Sequence, residues 1–313
     1  MKQIVADYFK CPACMPREVD LALRVMEVHG GDVITGYLEC SLCNTRYPIA
    51  DGIACLLPQA LRSDEIAPSK YERPDVLSSY LWSHYADLFG DPQATAAYGQ
   101  WASQLQPSAG IALDAGCAVG RFTFELSCLN DFAIGFDSSR SFILTARELL
   151  IRRSIDFKMT EEGRIQKDCT IALPSHWDSD RVELIVADAH ALPFGAALFS
   201  SIASLNLVDK LPVPLLHLKE LNRVSRDRNA QFLFSDPFSW STEITEEKDW
   251  LGGLDTGNYA GNGIDNTASL LEGSGGELLP PWSIQNRGSV WWKIRNHRNH
   301  FELIRSCFLK AVR

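Results

Sequence analysis

Between Ile111 and Asp236 the sequence returns five times to a short apolar run: IALDAG, FAIGFD, VELIVADA, SSIASLN and AQFLFSD. Each run has the length and composition of a strand buried on both faces, and helical segments lie between them. That alternation implies a doubly wound α/β domain with its ligand at the carboxyl ends of the strands. Three successive runs close on an acid, at Asp114, Asp137 and Asp188, and the first leads through GCAVGR into a helical segment.

The glycine turn narrows the ligand. A dinucleotide site needs G-x-G-x-x-G so that the backbone can approach a pyrophosphate. Here Ala118 stands where the second glycine would, and Gly120 lies four residues after Gly116. This turn suits a ligand without phosphates, such as S-adenosylmethionine (SAM). Its carboxylate would sit near the helix N-terminus and its ammonium beside Asp114. Asp137 would accept from both ribose hydroxyls. Asp188 would accept from the adenine amino group, with Ala189 and His190 flanking the base. Cys117 in the turn, Ser138 beside Asp137 and Asn206 after the fourth run complete the expected cofactor contacts. The competing reading is three solvated strand-end acids that share no ligand.

Four of nine cysteines form two C-x-x-C pairs, Cys11/Cys14 and Cys40/Cys43, with 25 residues between the pairs. Two such knuckles can close a tetrahedral tetrathiolate around Zn²⁺, and a site with four thiolates has no open position, so the metal is expected to be structural. The insert mixes periods of two and 3.6 and fits a helix or a hairpin equally. Formal net charge is −9, which argues against a nucleic-acid surface. No apolar run reaches bilayer length, and MKQIVADYFKCPAC lacks the layout of a signal peptide, so a soluble, cytoplasmic protein is expected. The expected organisation is a zinc ribbon over 1–60, a linker and helical cap over 61–106, and a SAM domain over 107–313. Gln59 to Asp75 reads as the linker.

CPAC…CSLC followed by TRYPIADGIACLLP resembles the small zinc-ribbon activators of tRNA and protein methyltransferases. That resemblance implies a docking or stabilising module, and with it a possible protein partner. The stretch from Pro107 to Arg313 is similar to class I SAM-dependent methyltransferases. The resemblance implies a seven-stranded, Rossmann-like sheet whose last strand is inserted antiparallel, with SVWWKIRNH and FELIRSCFLKAVR as the final strands. GCAVGR, YLWSHY, EEGRI, SLNLVDKL and SDPFSWSTEITEEKDWLGG resemble the 4-mercaptohistidine N1-methyltransferase module of ovothiol biosynthesis. That closer likeness implies a small imidazole- or thiol-bearing acceptor. The iron-binding domain of the fused family enzyme has no counterpart here, and the zinc ribbon is not part of that module.

Expected catalytic groups are His84, as a candidate base, and Asn206, Asp209 and Asp236 past the fourth and fifth strands. Tyr80, Tyr85, Arg121, Trp240 and Trp250 are expected to contact the acceptor, with Trp82 as a further lid residue. Trp291 and Trp292 read as core. The segment Trp250–Trp282, with eight glycines, reads as a substrate lid. Two other functions compete: an RNA base methyltransferase with a zinc-binding segment, and a non-catalytic zinc-ribbon adaptor.

Overall fold

The computed structural model describes residues 1–62 and 69–313; residues 63–68 of the expected linker lie outside the described residues. The chain opens with four antiparallel strands in sequential order: β1 (Leu21–His29), β2 (Asp32–Cys40), β3 (Arg46–Ala50) and β4 (Ile53–Ala54). The insert between the cysteine pairs is therefore a hairpin, turned at Gly30 and Gly31, both of which take positive φ. Glycine tolerates that region without steric cost. Helices α1 (Pro74–Tyr85) and α2 (Ala97–Ala102) follow.

The main domain then runs β5 (Ser108–Ala115), α3 (Arg121–Leu129), β6 (Asn130–Asp137), α4 (Arg140–Arg152), a hairpin of β7 (Ser154–Glu162) and β8 (Ile165–Ala172), and β9 (Val182–Val186). It continues through β10 (Phe199–Leu205), α5 (Pro214–Val224), β11 (Gln231–Asp236), α6 (Gly263–Leu271), β12 (Ser283–His297) and β13 (His300–Val312). Seven strands make one sheet in the order β12-β13-β11-β10-β5-β6-β9. β9, β6, β5, β10 and β11 run parallel, and β13 is inserted antiparallel between β11 and β12. This is the expected α/β, Rossmann-like methyltransferase fold. Its chain reverses direction of travel at β5, so the crevice forms outside the ends of β5 and β10.

The four-stranded unit does not stand apart. β9 is an edge strand of the large sheet, and an open edge invites pairing. Cys55 bridges Val186 in parallel, and Leu56 N–H donates to Val186 O at 2.7 Å. Lys10 N–H donates to Pro193 O at 2.9 Å, and Phe9 packs on Phe194 with ring centroids 5.8 Å apart. Arg147 of α4 reaches both Asp32 of β2 (2.8 Å) and the fully buried Glu183 of β9 (3.2 Å). The ribbon therefore shares one core with the domain it covers.

Two features depart from expectation. The β7–β8 hairpin was not foreseen. It packs against α1 and β12, with Ser78 Oγ donating to Lys158 O and Arg295 donating to Thr160 O and Glu161. The glycine-rich segment is not a lid. It folds into α6 and seats Leu251, Leu271, Leu278 and Trp282 in the core, because its apolar residues recur at helical spacing once past Gly263. Among the described residues, no helix is long and apolar enough to cross a membrane.

Candidate functional site

The site is built from the turn after β5. Gly116, Ala118 and Gly120 all hold positive φ. A Cβ on Gly116 would lie 3.0 Å from the Leu207 side chain, so this position takes only glycine without strain. Cys117 N–H donates to Phe136 O and Ala118 N–H to Asp137 Oδ2, which ties the turn to the end of β6. Asp137 also accepts from Ser139 N–H through Oδ1 at 2.8 Å. Each carboxylate oxygen has thus taken one N–H and keeps a second acceptor position.

These elements line a cavity of about 390 Å³. It brings together Asp114, Gly116, Cys117, Asp137, Ser138 and Asn206 from the expected cofactor set, and Tyr80 and His84 from α1. Gly120, Asp188 and Ala189 do not line it. Gly120 caps α3 beneath the turn, and Asp188 pairs with His190 Nδ1 at 3.2 Å. His217 holds the same loop by its contact with Ala189 O.

Two of the three acids are easier to protonate than usual. Burial pushes Asp114 up to about 7, although Thr123 Oγ1 donates to it at 2.7 Å. Burial pushes Asp137 up to about 6 against its backbone N–H bonds. At Asp188 the hydrogen bonds from His190 outweigh burial and hold the carboxyl low. A ligand that donates to Asp114 and Asp137 needs them ionised. For S-adenosylhomocysteine as that ligand, the expectation is binding about tenfold weaker at pH 6.0 than at pH 7.5, as titration calorimetry across that range can check. The unliganded fold carries the opposite sign. Raised carboxyl pKa values favour the folded state below the ordinary value of 3.8, and that contribution is lost as pH rises through about 6 to 7.

Several expected roles are corrected by placement. Burial, with the charge of Arg121 behind it, pushes His84 down to about 3, which makes it a poor base at neutral pH. Asp209 and Asp236 are buried under the cavity floor. Asp209 Oδ2 accepts from Ser239 N–H and pairs with Lys210, and Asp236 Oδ1 accepts from Phe238 N–H. Burial and the neighbouring Asp209 keep the Asp236 carboxyl well above its ordinary range. The pair fastens the loops after β10 and β11, so neither acid reaches the cavity. Arg121 is only 3% exposed; it pairs with Asp87 and Glu125 and lies 4.6 Å over Trp177, out of the cavity. Tyr85 donates to Val119 O at 2.7 Å and supports the glycine turn instead of a ligand. Trp82 is likewise packed away, donating to Asp91. Trp240 and Trp250 stack on each other at 6.0 Å, outside the lining.

Sequence reasoning missed Tyr71, Tyr98, Phe122, Phe142, Lys210 and Trp292, all of which line the cavity. Trp292 had a readable signal. Neighbouring strand residues point to opposite faces, so one of two adjacent tryptophans had to turn outward. Trp291 is 51% exposed and Trp292 is 5% exposed.

The cysteine pairs converge as expected. Cys11, Cys14, Cys40 and Cys43 place their sulfurs within 4.8 Å of one another, with 3.6 Å between Cys11 and Cys43 and 3.7 Å between Cys14 and Cys40. A tetrahedron with Zn–S bonds of about 2.3 Å has edges of about 3.8 Å, so the donor set fits zinc.

No family model matches the chain, and no curated protein matches it in sequence. Among solved structures it is similar to one described for conversion of a disulfide bond into a thioacetal group during echinomycin biosynthesis. The identity is 17%, the match covers 70% of this chain and 81% of that chain, and the TM-score is 0.45. It is also similar to a SAM-dependent methyltransferase from Methanosarcina mazei, at 17% identity, 67% and 94% coverage and TM-score 0.42. A third is a chain from the complex of the Haloferax volcanii Trm112 methyltransferase activator with a methyltransferase, at 11% identity, 79% and 99% coverage and TM-score 0.45.

Proposed function

We propose that the protein is a SAM-dependent methyltransferase that acts on a small, imidazole- or thiol-bearing amino-acid derivative, with a structural zinc ribbon fused in cis. The observation that carries this reading is the cavity itself. Asp114, Gly116, Asp137 and Asn206 converge on one wall at the carboxyl ends of the strands, under an aromatic cap. Asp137 would accept from the ribose hydroxyls, the Gly116 turn would let the backbone approach the amino-acid end, and Asp114 would face the ammonium. The cofactor supplies an electrophilic methyl group. The chain's own task is then to align an acceptor and exclude water.

Burial and Arg121 hold His84 neutral, Asp209 and Asp236 do not line the cavity, and Asp114 and Asp137, which do, are occupied by the cofactor in this reading. Such a site favours an acceptor atom that already presents a lone pair at neutral pH, an imidazole nitrogen or a thiolate, over a hydroxyl or an alkylammonium. The net charge of −9 fits a small acceptor better than RNA.

Calorimetric titration with S-adenosylhomocysteine is the test. Binding to the intact protein, followed by transfer of labelled methyl from SAM to 4-mercaptohistidine and not to RNA, is expected. If the intact protein does not bind S-adenosylhomocysteine, the adaptor reading replaces this one. If label appears in RNA, the acceptor assignment is wrong.

A further inference from the structure

The cap end of the cavity carries polar groups that the protein leaves unsatisfied. Trp292 Nε1 and His84 Nδ1 are both buried, and neither has a hydrogen-bond partner among the described residues. Each side chain is 5% exposed, and each lines the cavity. The fold normally pairs such atoms, since an unmet buried donor costs about 1–3 kcal/mol. The rest of this end is aromatic. His84 lies 4.7 Å from Tyr98 and 5.7 Å from Tyr80, and it meets Trp292 edge-on at 6.4 Å. These residues come from α1, α2 and β12, elements outside the strand-end turns that form the opposite wall. Glu302, opposite Ile294 in the β12–β13 hairpin, also lines the cavity and accepts from Asn296 Nδ2 at 2.8 Å, while Arg121 behind the aromatic residues is paired with Asp87 and Glu125.

Resting on the methyltransferase reading, we propose that this chamber is the acceptor's subsite, that it takes a flat heteroaromatic ring with hydrogen-bonding heteroatoms, and that Trp292 sets its specificity. The aromatic faces provide stacking for a planar ring. The indole N–H supplies a donor to a ring or exocyclic heteroatom, and neutral His84 supplies a second hydrogen-bonding nitrogen. An acceptor lacking such heteroatoms would leave both groups unmet and bind less well.

The alternative occupant is the amino-acid end of the cofactor, and one experiment separates the two. Imidazole is titrated into the S-adenosylhomocysteine complex of the full chain while the indole N–H resonances are followed by NMR. Trp292→Phe identifies the Trp292 signal, and His84→Gln serves as a second variant should the first not fold. The expected result is that imidazole shifts the Trp292 signal in the wild-type complex. Each variant should weaken imidazole at least fivefold while S-adenosylhomocysteine affinity stays within about threefold. A tenfold loss of S-adenosylhomocysteine affinity in either variant would assign the chamber to the cofactor and overturn the proposal. An unmoved Trp292 signal in a wild-type complex that binds S-adenosylhomocysteine normally would overturn the acceptor subsite and leave the methyltransferase reading standing. Failure of the wild type to bind S-adenosylhomocysteine would remove both.

Discussion

Asp137→Ala should weaken S-adenosylhomocysteine binding at least a hundredfold. Asp137 ends β6 on the cavity wall, and its carboxylate already accepts from Ala118 N–H and Ser139 N–H. Two ligand hydroxyls on the remaining acceptor positions would each make a charge-assisted bond worth about 1.5–3 kcal/mol. Losing both exceeds the ~2.7 kcal/mol that a hundredfold change in affinity represents. The alanine variant also frees the glycine turn, since Ala118 N–H loses its tie to β6. Asp137→Asn separates these effects, because its amide oxygen can keep one backbone bond but lacks the charge. Its affinity should fall between wild type and alanine. The check is titration calorimetry beside thermal melting. Burial already disfavours the charged Asp137 carboxylate, so the variants should melt within a few degrees of wild type. Undiminished binding in a folded Asp137→Ala protein would mean that the cavity is not the cofactor's.

The placement of Asp114, Asp137 and the glycine turn on the cavity was legible because both features are local: a strand places its last residues at the crevice, and a positive-φ turn must be spelled in nearby residues; Asp188, also at a strand end, pairs with His190 instead. The cap was not. His84, Tyr98 and Trp292 are separated by up to some two hundred positions and meet only because the β12–β13 hairpin extends past the sheet onto α1. The chemistry of His84 was illegible for the same reason, since its low basicity depends on burial and on Arg121, neither of which its own neighbours announce. The β7–β8 hairpin is a different case. SIDFKMTEEGRIQKDCTIA alternates apolar and polar residues on both sides of a turn with Gly163 at positive φ, a signal that period-two counting recovers. The segment after Trp250 misled because its glycines outweighed a short apolar helix, Gly263–Leu271, that tertiary packing makes decisive.

With zinc on the four cysteines, as proposed, its removal should lower the melting temperature by about 10 °C or more and make the protein prone to associate. Below about 70 residues a core rarely holds itself without a staple, and structural zinc supplies of order 10 kcal/mol in small zinc modules. Here that loss would not stay local. The ribbon contributes Phe9, Tyr47 and Leu56 to the core it shares with the sheet, and it covers the β9 edge through Cys55 and Leu56. Loosening the ribbon would also release Asp32 from Arg147, leaving Glu183 as that guanidinium's remaining partner, and would expose strand edge to other chains. The measurements are metal content per chain, calorimetric melting with and without chelator, and light scattering after chelation. Cys40→Ser should reproduce the chelated melting curve without any chelator. The cofactor cavity draws none of its lining from residues 1–62, so S-adenosylhomocysteine should still bind chelated protein kept below its new transition. Full metal occupancy with an unchanged melting curve after its removal would show that the four cysteines bind zinc without stabilising the fold. A metal-free native protein with the same melting curve would reduce them to thiols of a packed core.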